Sequence, residues 1–186
     1  GSLSAGVRLA SGEVLGADAV VLACGGFQGN STMMREHFGE GGECVPLLAP
    51  RAHFNTGDGI RMALAAGADP AGDWSGMHIE PVDPRSRNQA PVVLLYPYGV
   101  VVDRHGRRFF DEGGGLVHET WEWFSRHIHF ALEGRQAFAV LDRRVREIAD
   151  WQRATRSEMP PVEAPTLAEL AARIGVDAGH LVATVA

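Results

Sequence analysis

The chain has 186 residues, 45% of them hydrophobic and 22% charged, the composition of a folded globular protein rather than of a disordered, collagen-like or repeat chain. At about 100–200 residues per domain it holds one domain, or one domain with a piece of another, and not a complete large enzyme. Its 17 basic and 23 acidic side chains give a formal net charge of -6 without long single-sign runs, so no phosphate-tracking surface is expected and nucleic acid is not a partner.

Residues 6–27 read as two strands. Val7 and Leu9 alternate with polar neighbours, Ser11-Gly12 supplies a turn, and Ala17 to Cys24 is a continuous apolar run. An uninterrupted stretch such as Ala19-Val20-Val21-Leu22-Ala23 is the pattern of a strand buried on both faces inside an α/β sheet. Two strands do not bury themselves, so this piece is expected to belong to a larger sheet whose other strands lie outside the chain.

A new module is expected to begin near residue 30, with a helix over Asn30–Phe38 capped by Asn30 or Ser31 and a glycine-rich loop over Gly39–Gly42. An alanine-rich helix over Ile60–Ala66 should stop at Gly67. Residues 69–91 contain Pro70, Pro81, Pro84 and Pro91 and predict a long loop, of a kind that is usually functional when ordered. Val92–Leu95 and Gly99–Asp103 predict strands, the latter turning through Asp103–Arg107 into Arg108-Phe109-Phe110 as a hairpin. A helix over Glu119–Leu132, a strand over Ala137–Leu141, a helix over Val145–Ala154, an amphipathic helix over Thr166–Ile174 and a last one over Asp177–Val185 complete the pattern. The expected fold class is α+β with an α/β element. Cys24 and Cys44 are the only cysteines, not spaced as a redox pair, which predicts a reduced cytoplasmic setting. No apolar run of about 18 residues or more predicts a membrane span, and the basic, apolar and small-residue blocks of a signal peptide are not seen.

Three motifs carry chemistry. In Ala23-Cys24-Gly25-Gly26 paired glycines follow an apolar strand, letting a backbone approach a ligand where α/β sheets place nucleotides; a tight turn after a core strand accounts for them equally well. Asn55-Thr56-Gly57-Asp58-Gly59 precedes a helix whose N-terminal amides face outward and suit a flat or anionic group, although Thr56 or Asp58 as a simple helix cap explains the same residues. It is not a phosphate loop, since no Gly-Lys-Ser/Thr follows. The third, Tyr98-Gly99-Val100-Val101-Val102-Asp103 through Glu112, is locally a hairpin with a charged turn.

In this order the three motifs resemble the flavoprotein family of fumarate reductase and succinate dehydrogenase. The correspondence lies in Ala17–Phe27, in Asn55–Ile60, and in Gly99–Asp103 with Gly106, Arg108, Phe109 and Glu112. Within that family His78-Ile79-Glu80-Pro81-Val82-Asp83-Pro84 and Phe109-Phe110-Asp111-Glu112 look most like the tricarballylate dehydrogenase group. The resemblance implies an FAD cofactor, with Ala23, Gly25, Gly26, Asn55, Thr56, Gly57, Asp58 and Gly59 beside it. It implies a partial FAD-binding domain over residues 1–29 and a substrate-covering capping domain over 30–186, both completed by portions of the same parent chain. It also implies hydride transfer between flavin and a small polycarboxylate, with an electron-acceptor protein or quinone as a further partner and a membrane association through it.

In fumarate reductases the resemblance places a proton-carrying arginine just after the Asn/Asp-Glu of the hairpin; here that stretch is Gly113–His118 and holds none. The family's histidine before a proline is replaced by Glu80 before Pro81, with His78 two residues earlier. A dehydrogenase with another base is therefore expected, with His78 and His118 as substrate-contacting or proton-transferring candidates and Glu80 and Tyr98 as their neighbours. A ketosteroid dehydrogenase-like enzyme is the alternative, weakened by Tyr96 and Tyr98 being the only tyrosines. So is a non-catalytic binding module using Trp121–Ile128, residues otherwise read as core. His127 and His129 are expected on a helix surface, not as a metal pair, and Arg108 and Glu112 are expected to brace the hairpin.

Overall fold

A computed structural model describes residues 5–186. It divides into two compact units, the first running to residue 43 and resuming over 51–72, the second comprising 44–50 and 73–186. The break falls near residue 72, whereas the sequence reading places one at residue 29.

In the first unit β1 (Ala5–Arg8) and β2 (Val14–Ala17) form an antiparallel hairpin with Val7 opposite Leu15. Its turn is closed by Leu9 N–H donating to Glu13 O at 2.8 Å, and Gly12 takes a φ of +89° there. The second strand ends at Ala17 instead of continuing to Cys24. Residues 19–24 run on without a strand partner among the described residues, and Val21 is 88% exposed. A ladder needs a neighbouring backbone to bond, and no described segment supplies one, so apolar composition alone does not make this run a strand. Helix α1 (Ser31–Phe38) starts as expected, with Asn30 Oδ1 accepting from Met33 N–H at 3.1 Å. Helix α2 (Asp58–Ala65) ends in a Schellman motif: Gly67 N–H donates to Leu64 O, Ala68 N–H to Ala63 O, and Gly67 sits at φ +94°.

The second unit is built on β3 (Val100–Val102) and β4 (Phe138–Val140), antiparallel with Val101 opposite Ala139. Alternation along β3 sends its side chains to two cores. Val102 joins Ala171 of α4 (Leu167–Ile174), Leu181 of α5 (Ala178–Val185) and Val176 between them. Val101 joins Tyr96 and Phe124, the latter from α3 (Val117–Ala131). Both small helices form over the expected ranges and are capped by side chains, Thr166 accepting from Glu169 N–H and Asp177 from His180 N–H.

Several expectations fail here, among them the strand over Val92–Leu95, which forms only isolated bridges, Val92 to Val82 and Val93 to Thr155. The hairpin from 99–103 into 108–110 is reduced to a single bridge, Val102 to Arg108, because Val101 N–H donates to the Glu112 carboxylate instead of to that segment. The helix over Val145–Ala154 is instead two 3-10 turns, Arg143–Glu147 and Trp151–Ala154, with Asp150 at φ +58° breaking the path between them. On α3, His129 is buried rather than on the surface, and Trp123, read as core, is 74% exposed; the helix turns Phe124 inward, stacked on Tyr96 with centroids 4.2 Å apart.

The proline-rich segment is stitched by Asp83, which is buried. Its carboxylate accepts from Arg85 Nε at 2.9 Å and from Ser157 Oγ at 2.7 Å. Hydrogen bonding from Arg85, aided by Ser157, holds its carboxyl down at about 2. A lowered carboxylate pKa stabilises the fold above the unfolded value near 4, and that contribution is lost as pH falls toward 2. Because Arg85 is half-exposed, Asp83→Asn is expected to cost about 1–2 kcal/mol at neutral pH, and the difference from the parent chain should shrink by roughly half near pH 3. Urea unfolding at the two pH values measures this, and an unchanged difference would remove Asp83 from the acid response.

Candidate functional site

The candidate cofactor residues all lie in the first unit, where two loops are pinned together. Gly57 N–H donates to Gly26 O at 3.0 Å, Gly29 N–H donates to Asn55 O at 2.8 Å, and Asn30 Nδ2 donates to Thr56 O at 2.9 Å. Residues 24–30 and 53–59 thus form one surface from sequence positions about thirty residues apart.

Glycine is required at the joint. Gly25 lies at φ +77°, and a Cβ there would stand 2.5 Å from Asn55 Oδ1. Gly57 lies at φ +78°, and its Cβ would stand 2.5 Å from Met33 Sδ. At Gly59 a Cβ would come within 3.1 Å of Cys24 Cβ. Ala23 and Gly25 are exposed, Gly26, Asn55 and Thr56 half-buried, and Gly57 and Gly59 buried. The space beside these glycines is taken by Asn55, Met33 and Cys24 of the chain itself, so the two loops pack backbone against side chain without a Cβ between them.

Electrostatics bears on what the helix start could accept. Gly57 caps α2 without a side-chain hydrogen bond, leaving first-turn amides outward. Asp58, in that turn, is held below the usual carboxylate range, first by the Thr56 hydroxyl, which donates to it at 2.6 Å, and then by Arg61. A fixed negative charge at the helix start opposes a second anion there, so the loop suits a flat, neutral ring edge better than a pyrophosphate.

The candidate proton-transfer residues lie in the second unit. His78 Nδ1 is 2.9 Å from Glu122 Oε1, and His78 Nε2 is 3.4 Å from Glu80 Oε1. The His78 ring meets Trp121 edge-on at 5.5 Å, and His118 meets the same indole edge-on at 5.1 Å. His78, Glu80 and His118 are thereby gathered around Trp121. Tyr98, half-exposed at the end of the 3-10 turn Tyr96–Tyr98, makes no hydrogen bond or ring contact with them among the described residues. Sequence reasoning missed Trp121 and Glu122; the signal was their spacing from His118 on one helix, where residues three and four apart are neighbours.

The expected brace is present. Glu112 is buried and accepts from Val101 N–H at 2.6 Å and from Arg108 Nε at 2.9 Å. His127 stacks on Phe109 at 5.1 Å. No group of three or more metal-ligating side chains occurs among the described residues, and no described helix is long and apolar enough to cross a membrane.

A family profile described as FAD binding domain matches residues 6–186. It runs unbroken through the segment expected to be a capping domain, so the matched region is FAD-binding domain, and the capping assignment is corrected accordingly. The chain is 33% identical over 202 aligned positions to a 4-oxocyclohexanecarboxylate 2-dehydrogenase of Sinomonas cyclohexanicum, covering 97% of this chain and 33% of that protein. It is 29% identical over 175 positions to an NADH:acrylate oxidoreductase of Vibrio harveyi, covering 90% of this chain and 17% of that one. With a 4-oxocyclohex-2-ene-1-carboxylate 5-dehydrogenase of Sinomonas cyclohexanicum it shares 28% identity over 192 positions, covering 90% and 31%. The chain spans a third or less of the length of these curated relatives.

Proposed function

Because this chain belongs to the FAD-binding flavoprotein family of the fumarate reductase and succinate dehydrogenase type, we propose that it is part of an FAD-dependent oxidoreductase acting on a small carboxylate. The observation that carries the reading is the joint between the two glycine loops, Gly57 N–H to Gly26 O at 3.0 Å. The residues expected to flank the cofactor are brought into one surface, and the backbones of Gly25, Gly26 and Asn55–Gly59 would hold the edge of the flavin. When bound, FAD supplies the hydride-accepting or hydride-donating chemistry.

This chain's side chains handle the proton and the substrate's charge. His78 exchanges the proton, and His118, on the other side of Trp121, contributes a hydrogen bond to a carboxylate. Relatives whose names specify carboxylates, acrylate and two oxocyclohexane acids, support the substrate class. The finer reading, tricarballylate, rests on the run His78–Pro84 and on Phe109–Glu112. The remaining FAD-contacting portions come from elsewhere in the parent chain, and electrons pass onward to a protein or quinone acceptor.

The test is made on the full parent protein. FAD is expected to co-purify, and a panel of small mono-, di- and tricarboxylates should bleach or reoxidise it. His78→Ala should lower turnover about 100-fold with flavin content unchanged. A parent protein that takes up no flavin under any condition would overturn the proposal.

A further inference from the structure

We propose that Glu122 is a positioning residue that fixes which nitrogen of His78 exchanges the proton. This deepens the functional reading above and rests on it for the identity of the reaction.

The argument starts from donor and acceptor inventory. An ionised carboxylate only accepts, and a neutral imidazole donates from one nitrogen only. Glu122 Oε1 lies 2.9 Å from His78 Nδ1, so that contact requires the Nδ1–H tautomer. The lone pair is then on Nε2, and Nε2 becomes the atom that takes a proton. Glu80 Oε1, 3.4 Å from Nε2, is beyond a good hydrogen bond to it, so it does not compete with Glu122 for the ring N–H.

The rest of the neighbourhood holds the ring in that orientation. Trp121 meets it edge-on at 79°, and Trp121 and Glu122 are consecutive on α3, so one turn of helix supplies both the wall and the acceptor. Glu80 has a side chain only 15% exposed, against 46% for Glu122 and 59% for His78. The carboxylate beside Nε2 is thus the sheltered one, while His78 stays open to an incoming molecule. In the forward step one substrate C–H bond would break with its proton going to Nε2, that bond's electron pair would form the new C=C bond, and the hydride of the adjacent carbon would go to a flavin-class oxidant; in reverse Nε2 would return the proton and the reduced flavin the hydride. Among the described residues the ion pairs of His78 are those with Glu80 and Glu122.

The tautomer can be read without any turnover. Nitrogen-15 NMR of the histidine side chains of this chain, at alkaline pH where the imidazoles are neutral, should show His78 as Nδ1–H. Glu122→Ala should shift His78 toward Nε2–H. Glu122→Gln should retain Nδ1–H, because an amide oxygen still accepts there, and Glu80→Ala should leave the tautomer unchanged. Wild-type His78 in the Nε2–H form, or a Glu122→Ala signal identical to wild type, would overturn the proposal. In the parent protein Glu122→Ala should lower turnover about tenfold, with Glu122→Gln recovering most of it. If instead His78→Ala leaves turnover intact while the tautomer shifts as expected, the positioning stands and the catalytic reading of His78 fails.

Discussion

Gly25→Val is expected to be among the most damaging single substitutions in the first unit, costing about 3 kcal/mol and emptying the parent protein of flavin. Two effects add. A β-branched residue at φ +77° pays left-handed backbone strain of about 1–3 kcal/mol. Its Cβ also stands 2.5 Å from Asn55 Oδ1, so the Asn55 side-chain amide must swing away while its backbone stays tied to Gly29 N–H at 2.8 Å. Gly12→Val separates the two effects, since Gly12 has a similar φ of +89° but open space where the side chain would go. It should cost only the strain and leave flavin content alone. Gly25→Ala paired with Asn55→Ala should recover the clash component and not the strain. Chemical denaturation with amide exchange at Gly57 and Gly29 reads these outcomes. Equal effects of Gly25→Val and Gly12→Val would mean that the loop joint contributes nothing.

What could be read from the sequence was local. Asn30 caps its helix and Gly67 closes another in the left-handed region, both as read, because each of these choices is decided within a few residues. The partner of β3 was not local. The turn at Asp103–Arg107 forms, with Asp103 Oδ1 accepting from His105 N–H at 2.8 Å and from Arg107 N–H at 3.0 Å. Yet Val101 N–H goes to the Glu112 carboxylate instead of to a strand at 108–110, and β4 supplies the ladder. The apolar run 19–24 failed as a strand for a related reason, since strand formation is settled by a neighbour and not by composition. At the site, the glycines were legible because their conformational freedom marks them in any context. Glu122 was not, since its role exists only once a histidine 44 residues away is folded against it.

That same Glu112 gives the largest effect expected in the second unit. Its side chain is 3% exposed and answers two groups at once, the Val101 N–H in a fully buried strand position and the Arg108 guanidinium. Glu112→Ala strands a buried amide and is expected to cost about 1–3 kcal/mol, the exposed Arg108 guanidinium being left to solvent. Glu112→Gln keeps an acceptor for Val101 but turns an amide donor toward Arg108, and should cost about half as much. The consequence reaches the candidate site through the chain itself. Glu112 leads through Gly113-Gly114-Gly115 into α3, the helix that carries His118, Trp121 and Glu122. Tyr96 is the second tie on that helix, its hydroxyl 2.7 Å from Thr120 Oγ1 and donating to Val117 O at 3.2 Å. A chain that keeps the Tyr96 tie but loses Glu112 should therefore retain α3 while its first turn loosens. Thermal unfolding should record the stability loss, and the His78 nitrogen signals should broaden toward a mixture of tautomers. A destabilised variant whose His78 signals match wild type would show that the brace serves the strand alone and that α3 is positioned by its own core contacts.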